Sequence, residues 1–266
     1  MTDTPPVIVD ASPGGTVVLT LNRPERHNAI NDRIIAALDD ALETVRGADH
    51  VRVVILRGAG RSFSAGVDVD WLRSSTRFTP DENEQDALGL ARLLEKLYDL
   101  PQLTIAAIHG AAMGGGAGLA AACDVVIATK AAQFRFPEVR LGLTPAPIAP
   151  FVVQAIGPRW ARALFATGES FDSAFAEKIG LVHYAVEDDD EIGVILEHVT
   201  KLAFHAAPGA LEASKRIAHE VYGRPISDGL AHLTARRVAH RRASEEGQEG
   251  VAAFLEKRKP SWLIEE

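Results

Sequence analysis

Short runs of β-branched and aliphatic residues alternate with stretches of helical periodicity through the first two hundred residues. This alternation restricts the chain to a layered α/β fold with parallel strand crossovers. Residues 16–21 (TVVLTL) form one such run, which stops at Asn22-Arg23-Pro24 as a strand entering a turn should. The period then changes. Ile34, Ile35, Leu38, Leu42 and Val45 follow helical spacing, with Asn31 or Asp32 as cap and Gly47 as terminator. Residues 51–56, 103–108 and 124–128 read as further strands, and the leucines at 90, 93, 94, 97 and 100 as a second amphipathic helix. The segment 73–86 between them is polar and reads as a mobile loop. Helices are expected over 158–166 and 173–179, a strand over 181–186, and only helices after about residue 191. The expected organisation is therefore a core over 1–200 and a C-terminal helical region over 201–266, packed on the core or on another subunit.

Composition narrows the partners. With 28 Lys+Arg against 36 Asp+Glu the net charge is -8, which argues against binding nucleic acid, where affinity comes from neutralising phosphates. Local basic clusters (Arg23 with Arg26, the arginines at 236, 237, 241 and 242, and Lys257-Arg258-Lys259) have the ordinary reading of solvated or contact-forming charge. The single cysteine, Cys123, sits among small residues as a buried thiol would and leaves no disulfide to form. The nine histidines include no helical zinc pair, so no metal is expected. No secretory leader or bilayer-spanning run is recognisable in the sequence, and the expectation is a soluble, cytoplasmic protein without membrane partners.

Two glycine-bearing turns carry the chemistry. Residues 61–68 (RSFSAGVD) and 110–118 (GAAMGGGAG) each follow a predicted strand directly. Glycines there let backbone N–H groups face a cleft unobstructed, and two such turns can aim two donors at one oxygen, the geometry of an oxyanion hole. Residues 116–121 also fit a relaxed dinucleotide fingerprint, G-x-G-x-x-A. That reading requires an acidic residue after the next strand, whereas the chain has Thr129-Lys130 there. Tight helix–sheet packing through small residues is a third reading, compatible with the first. Further on, Glu138 follows a proline in an aromatic stretch (FRFPE), where desolvation would raise its pKa into the range useful for proton transfer. A salt bridge to Arg135 or Arg140 is the competing reading.

In order and spacing, Leu21-Asn22-Arg23-Pro24 with Asn28-Ala29, residues 63–68, Gly114-Gly115-Gly116 with Cys123-Asp124, and Pro137-Glu138 with Leu141-Gly142 resemble the enoyl-CoA hydratase/isomerase, or crotonase, superfamily over nearly the whole chain. The resemblance implies a spiral of repeated β-β-α units with a C-terminal helical trimerisation region, assembled as homotrimers or dimers of trimers. It implies an acyl-CoA thioester as substrate, with coenzyme A part of that substrate and no separate cofactor. It assigns the oxyanion donors to the backbone N–H groups of Val67 and Gly115 and acid–base work to Glu138. Arg26, Ala29 and Ala65 fall where the family holds the CoA nucleotide, and Phe254 with Lys257 where a neighbouring subunit closes over it. Gly118 and Trp71 fall in the substrate pocket.

One departure bears on the reaction. Hydratases of the family typically carry two glutamates, and the position of the first is Gly118 here, leaving Glu138 alone. A single carboxylate suffices for a 3,2-enoyl-CoA isomerase, and its solitude would also suit a catalytically weak acyl-CoA-binding homologue. Residues 136–157 with Gly118 and Asp70-Trp71-Leu72 resemble bacterial hydratases of methylglutaconyl-type branched acyl-CoAs, a group in which glycine at the first position is common. The expected reaction is therefore hydration of the 2,3 double bond of an enoyl-CoA.

Overall fold

The structure is a computed structural model that describes residues 4–263. Its centre is a six-stranded sheet in the order β1-β2-β3-β4-β6-β9, formed by β1 (Val7–Ala11), β2 (Thr16–Leu21), β3 (Val53–Gly58), β4 (Leu103–Ile108), β6 (Val125–Thr129) and β9 (Tyr184–Val186). Only the β1–β2 pair is antiparallel. A second sheet has the order β5-β7-β8, from β5 (Ala111–Met113), β7 (Gln133–Arg135) and β8 (Ser170–Asp172). Strands β4 and β5 are followed by helix α4 (Gly115–Ala121), and β6 and β7 by α5 (Ala149–Thr167), so each repeat gives one strand to either sheet before its helix. This is the β-β-α repeat that the family resemblance implies.

The large sheet is covered on both faces, which is why its central strands are continuous apolar runs. Val54, Leu56, Ala106, Ile108 and Val126 pack with α1 (Asp32–Arg46), α3 (Pro80–Tyr98), α4 and α5. The alternate residues Val53, Ile55, Ile105, Ala107 and Ile127 pack with Ile192, Val199 and Ala203 of α7 (Asp189–His205). As expected, Asn31 caps α1 by accepting from the Ile34 N–H, and Gly47 ends it.

Three differences from the sequence reading have physical causes. Segment 73–86 is not a loop: it contains the end of α2 (Val69–Ser75) and the first turns of α3, whose Thr79 and Glu82 form a reciprocal capping box. The helix expected over 158–166 is the rear half of α5, which starts at Ala149 behind Pro145 and Pro147 and is broken at Gly157 (φ 74°). The strand expected over 181–186 narrows to β9, because residues 181–183 descend from α6 (Ser173–Ile179) into the sheet.

Beyond α7 lie α8 (Pro208–Val221), α9 (Asp228–Ala243) and α10 (Glu245–Glu256). Helix α8 is pinned to the core by Lys215, whose ammonium reaches Asp124 at 2.6 Å and the carbonyls of Leu100 and Gln102 at 2.6 Å each. Helix α9 buries no residue, and Ile226, Phe254 and Leu255 are exposed at 99%, 82% and 74%, so this region turns apolar surface away from its own core. No helix among the described residues is long and apolar enough to cross a membrane.

Candidate active site

The two glycine-bearing turns lie side by side. The Phe63 and Ser64 N–H groups donate to the carbonyls of His109 and Ala111, and Met113 N–H donates back to Ser64 O, each at 2.9 Å. Contact is close enough that glycine is required. A Cβ on Gly66 (φ 93°) would lie 3.0 Å from Met113 O, and one on Gly116 would lie 2.7 Å from the Ser64 Cβ.

Val67 and Gly115 stand at the downstream ends of these paired segments. Ile30 straddles Val67, taking Gly66 O with its N–H and giving its carbonyl to the Asp68 N–H. The Val67 N–H itself donates to nothing among the described residues, and the Gly115 N–H, first of α4, is likewise unused. A Cβ on Gly115 would meet Ile30 Cδ1 at 3.0 Å, so Ile30 is the packing residue shared by both turns.

The first turn is held by a residue whose side chain the sequence reading did not use. Asn28 is fully buried in the left-handed region (φ 55°) and donates to Ala59 O at 2.8 Å and Ser62 O at 2.7 Å, while its own Oδ1 accepts from Arg23 N–H. Asparagine tolerates that backbone and offers both polarities, which an aliphatic residue cannot. Its place in an N-R-P-x-x-x-N run was the available signal. Arg23 completes the brace with a 2.8 Å ion pair to Asp68, which in turn caps α2.

Glu138 opens a 3-10 turn (Glu138–Leu141) and faces the start of α4. A Cβ on Gly114 would sit 2.7 Å from its Oε1, so the carboxylate lies directly against the glycine turn. Its Oε2 is buried and has no hydrogen-bond partner. The salt-bridge reading fails: Arg135 Nε donates to Gly168 O instead, and no ion pair to Arg140 forms. Burial pushes the Glu138 pKa up, with only a backbone hydrogen bond opposing, since no neighbouring cation stabilises the charge. An unpaired, partly desolvated carboxylate beside two idle N–H donors is suited to abstract and return a proton next to an oxygen that gains negative charge.

Of the remaining residues, Arg26, Ala29 and Ala65 form one neighbourhood. The Ala65 N–H donates to His27 O, Ala29 N–H to Arg26 O, and the Arg26 guanidinium projects to Asp70 at 3.2 Å. Trp71 of α2 lies in an adjacent cleft of about 520 Å³ with Arg23, Asp68, Phe78 and Asp86. Gly118 is buried one turn into α4. Phe254 and Lys257 stand apart at the end of α10, and no hydrogen bond or ion pair among the described residues joins them to the Arg26 neighbourhood. Cys123 is buried with its thiol pKa pushed up by desolvation, and His27, His109 and His183 are hydrogen-bonded to Ser62, Gly60 and Val126, as ordinary structural residues would be.

Known proteins resemble this chain in sequence and fold. The sequence profile of the enoyl-CoA hydratase/isomerase family matches residues 12–264. The chain is similar to the 2,3-dehydroadipyl-CoA hydratase of Escherichia coli, 32% identical over 92% of this chain and 94% of that one. It is also similar to the mevalonyl-coenzyme A hydratase of Aspergillus fumigatus, 33% identical over 92% of this chain and 90% of that one. The crystal structure of an enoyl-CoA hydratase from Shewanella pealeana superposes with a TM-score of 0.93, at 33% identity and covering 97% and 96% of the two chains.

Proposed function

The chain belongs to the enoyl-CoA hydratase/isomerase family and is a hydro-lyase, and from that premise we propose that it adds water across the 2,3 double bond of an enoyl-CoA with Glu138 as its single acid–base group. The thioester oxygen takes the N–H groups of Val67 and Gly115. Glu138 accepts a proton from water as the water oxygen bonds to C3, and the double-bond electrons move through C2 onto the thioester oxygen. The resulting enolate collapses as Glu138 returns the proton to C2. Atoms and charge balance without a metal or redox cofactor, and coenzyme A enters only as part of the substrate. The observation that carries this reading is the buried, unpaired Glu138 Oε2 beside the glycine turn.

Arg26, Ala29 and Ala65 hold the CoA nucleotide in this proposal, while Phe254 and Lys257 close over the nucleotide of a neighbouring subunit in a homotrimer or a dimer of trimers. Exposure of the α10 residues supports that assignment. The acyl group is proposed to be branched, of the methylglutaconyl type, with Gly118 and Trp71 on the acyl side. One carboxylate also favours a second reading, double-bond migration, in which Glu138 removes a proton from C2 and returns it at C4. Incubation with 2-enoyl-, 3-enoyl- and 3-methylglutaconyl-CoA, followed by mass spectrometry, separates the two. Gain of one water supports hydration, and migration without a mass change replaces it with isomerisation.

Two expectations follow from the site. Because burial raises the Glu138 pKa, kcat/KM should fall as pH drops through a value above the ordinary carboxylate range, with the base protonated and idle below it. The sign for stability is opposite. The folded chain holds this proton more tightly than the unfolded one, so ionised Glu138 costs stability at neutral pH and the cost fades as pH falls through the raised pKa. A pH–rate profile whose acid limb sits at or below the ordinary glutamate value would contradict the first statement. Second, Gly114→Ala should lower kcat by roughly 10²-fold, because its backbone (φ 47°, ψ -118°) strains an L-residue and its methyl displaces the carboxylate. Steady-state kinetics on the folded variant checks this.

A further inference from the structure

Position 118 is closed to any side chain. A Cβ there would fall inside the van der Waals envelope of Ile148 Cγ2 and lie 2.8 Å from the Ile148 Cβ, with Leu94 Cδ1 at 3.7 Å. Ile148 cannot swing away easily. It is β-branched and 2% exposed, its N–H donates to Pro145 O, and its carbonyl accepts from Val152 N–H at the head of α5.

The location is informative. Gly114 caps α4 and its carbonyl accepts from the Gly118 N–H at 3.0 Å, so the two glycines lie one helical turn apart. Glu138 Oε1 lies against the first of these glycines and Ile148 against the second. In the proposed binding mode, with the thioester oxygen at the Gly115 N–H and C2 and C3 facing Glu138, the acyl chain leads past the Gly118 turn, behind which Ile148 and Leu94 are packed.

We propose that Ile148 is the specificity-determining residue of this site: it fills the space that glycine at 118 leaves, keeps the centre to one carboxylate, and forms an apolar floor under the acyl carbons next to Glu138. Loss of the second acid is thus built into the packing rather than being the absence of one side chain. Gly118 and Ile148 are a matched pair.

The proposal rests on the reading of Glu138 as the base, and the experiment separates the two. Four proteins are compared on 2-butenoyl-CoA and 3-methyl-2-butenoyl-CoA: wild type, Ile148→Ala, Gly118→Ala and the double variant. Removing three carbons from the floor should shift the kcat/KM ratio of the two esters by at least roughly tenfold toward the β-branched one. Gly118→Ala alone should lose at least roughly tenfold in kcat/KM, because overpacking moves the helix that carries Gly115, and adding Ile148→Ala should restore it. An unchanged ester ratio in Ile148→Ala, or a Gly118→Ala defect that Ile148→Ala does not relieve, overturns the proposal. Gly118→Glu with Ile148→Gly gives a readout that packing alone would not move: a second ionisation in the pH profile of kcat/KM. Its absence in a folded, active double variant counts against the matched pair. If Glu138→Gln keeps wild-type turnover, the function itself has been misread, whatever the Ile148 variants do.

Discussion

Replacing Glu138 by Gln is expected to lower kcat by roughly 10²–10⁴-fold while leaving CoA-ester affinity largely intact. The substitution keeps the shape of the side chain and removes only its capacity to take and return a proton. The magnitude is that of a positioned acid–base group, and it should lie toward the upper part of the range because no second carboxylate takes part in the proposed mechanism. The defect should appear in kcat and kcat/KM together, as expected when an interaction of the transition state is lost. Folding should not suffer. The carboxylate carries no ion pair, its Oε2 has no partner, and its burial raises its pKa, so exchanging it for a neutral amide removes an electrostatic cost at neutral pH. Ester titration and turnover on the same preparation check both halves. Turnover within about threefold of wild type would remove Glu138 from the mechanism.

The second large effect is on stability and lies at the opposite end of the sheet. Lys215 is the polar tie between α8 and the starts of β4 and β6, beside the apolar packing of Leu211 and the stacking of His219 on Tyr98. Its ammonium pairs with Asp124 and caps two carbonyls, with the two side chains 13% and 19% exposed. Lys215→Met would leave Asp124 still accepting from the Thr104 N–H and hydroxyl at 2.8 Å each, but without its counter-charge, and would strand the Leu100 and Gln102 carbonyls. Breaking one side of such a pair costs roughly 3–5 kcal/mol when fully buried, and partial exposure here places the expectation near the lower end, about 3 kcal/mol. At roughly 2–4 °C per kcal/mol for a chain of this size class, the thermal midpoint should fall by about 6–12 °C. Adding Asp124→Asn should recover part of that loss, since the stranded charge is then gone while an acceptor for Thr104 remains. A Lys215→Met midpoint within about 1 °C of wild type would show that α8 is held by its apolar contacts alone.

Much of the architecture was legible because its central strands are buried on both faces and so read as unbroken aliphatic runs, while α1 carries both its cap and its terminator in sequence. The elements that escaped have specific reasons. Strand β1 lies at the sheet edge with four of its five residues exposed, and β5, β7 and β8 have three residues each, too few for a period to show. The front of α5 is hidden by a proline-rich approach, and α3 began in a segment read as polar loop although Thr79-Pro80-Asp81-Glu82 carries a capping box that could have been recognised.

The site divides in the same way. The two glycine turns could be found because only glycine permits the backbone approach they make, and that requirement is written locally. Glu138 was legible as a candidate, but choosing between base and salt bridge needed its neighbours: Arg135 turns to Gly168, and the carboxylate is left unpaired. Ile148 was not legible at all. It lies 30 residues from Gly118, in a stretch whose prolines draw attention to the backbone, and its significance arises only when α5 is laid across α4.

The most direct test of the account is a single-turnover incubation of the wild-type enzyme with 2-butenoyl-CoA in H₂¹⁸O, followed by mass analysis of the acyl product. Water addition assisted by Glu138 predicts one ¹⁸O atom at C3 and its loss in Glu138→Gln. A migrated double bond without ¹⁸O, or incorporation at an undiminished rate in the variant, would contradict it.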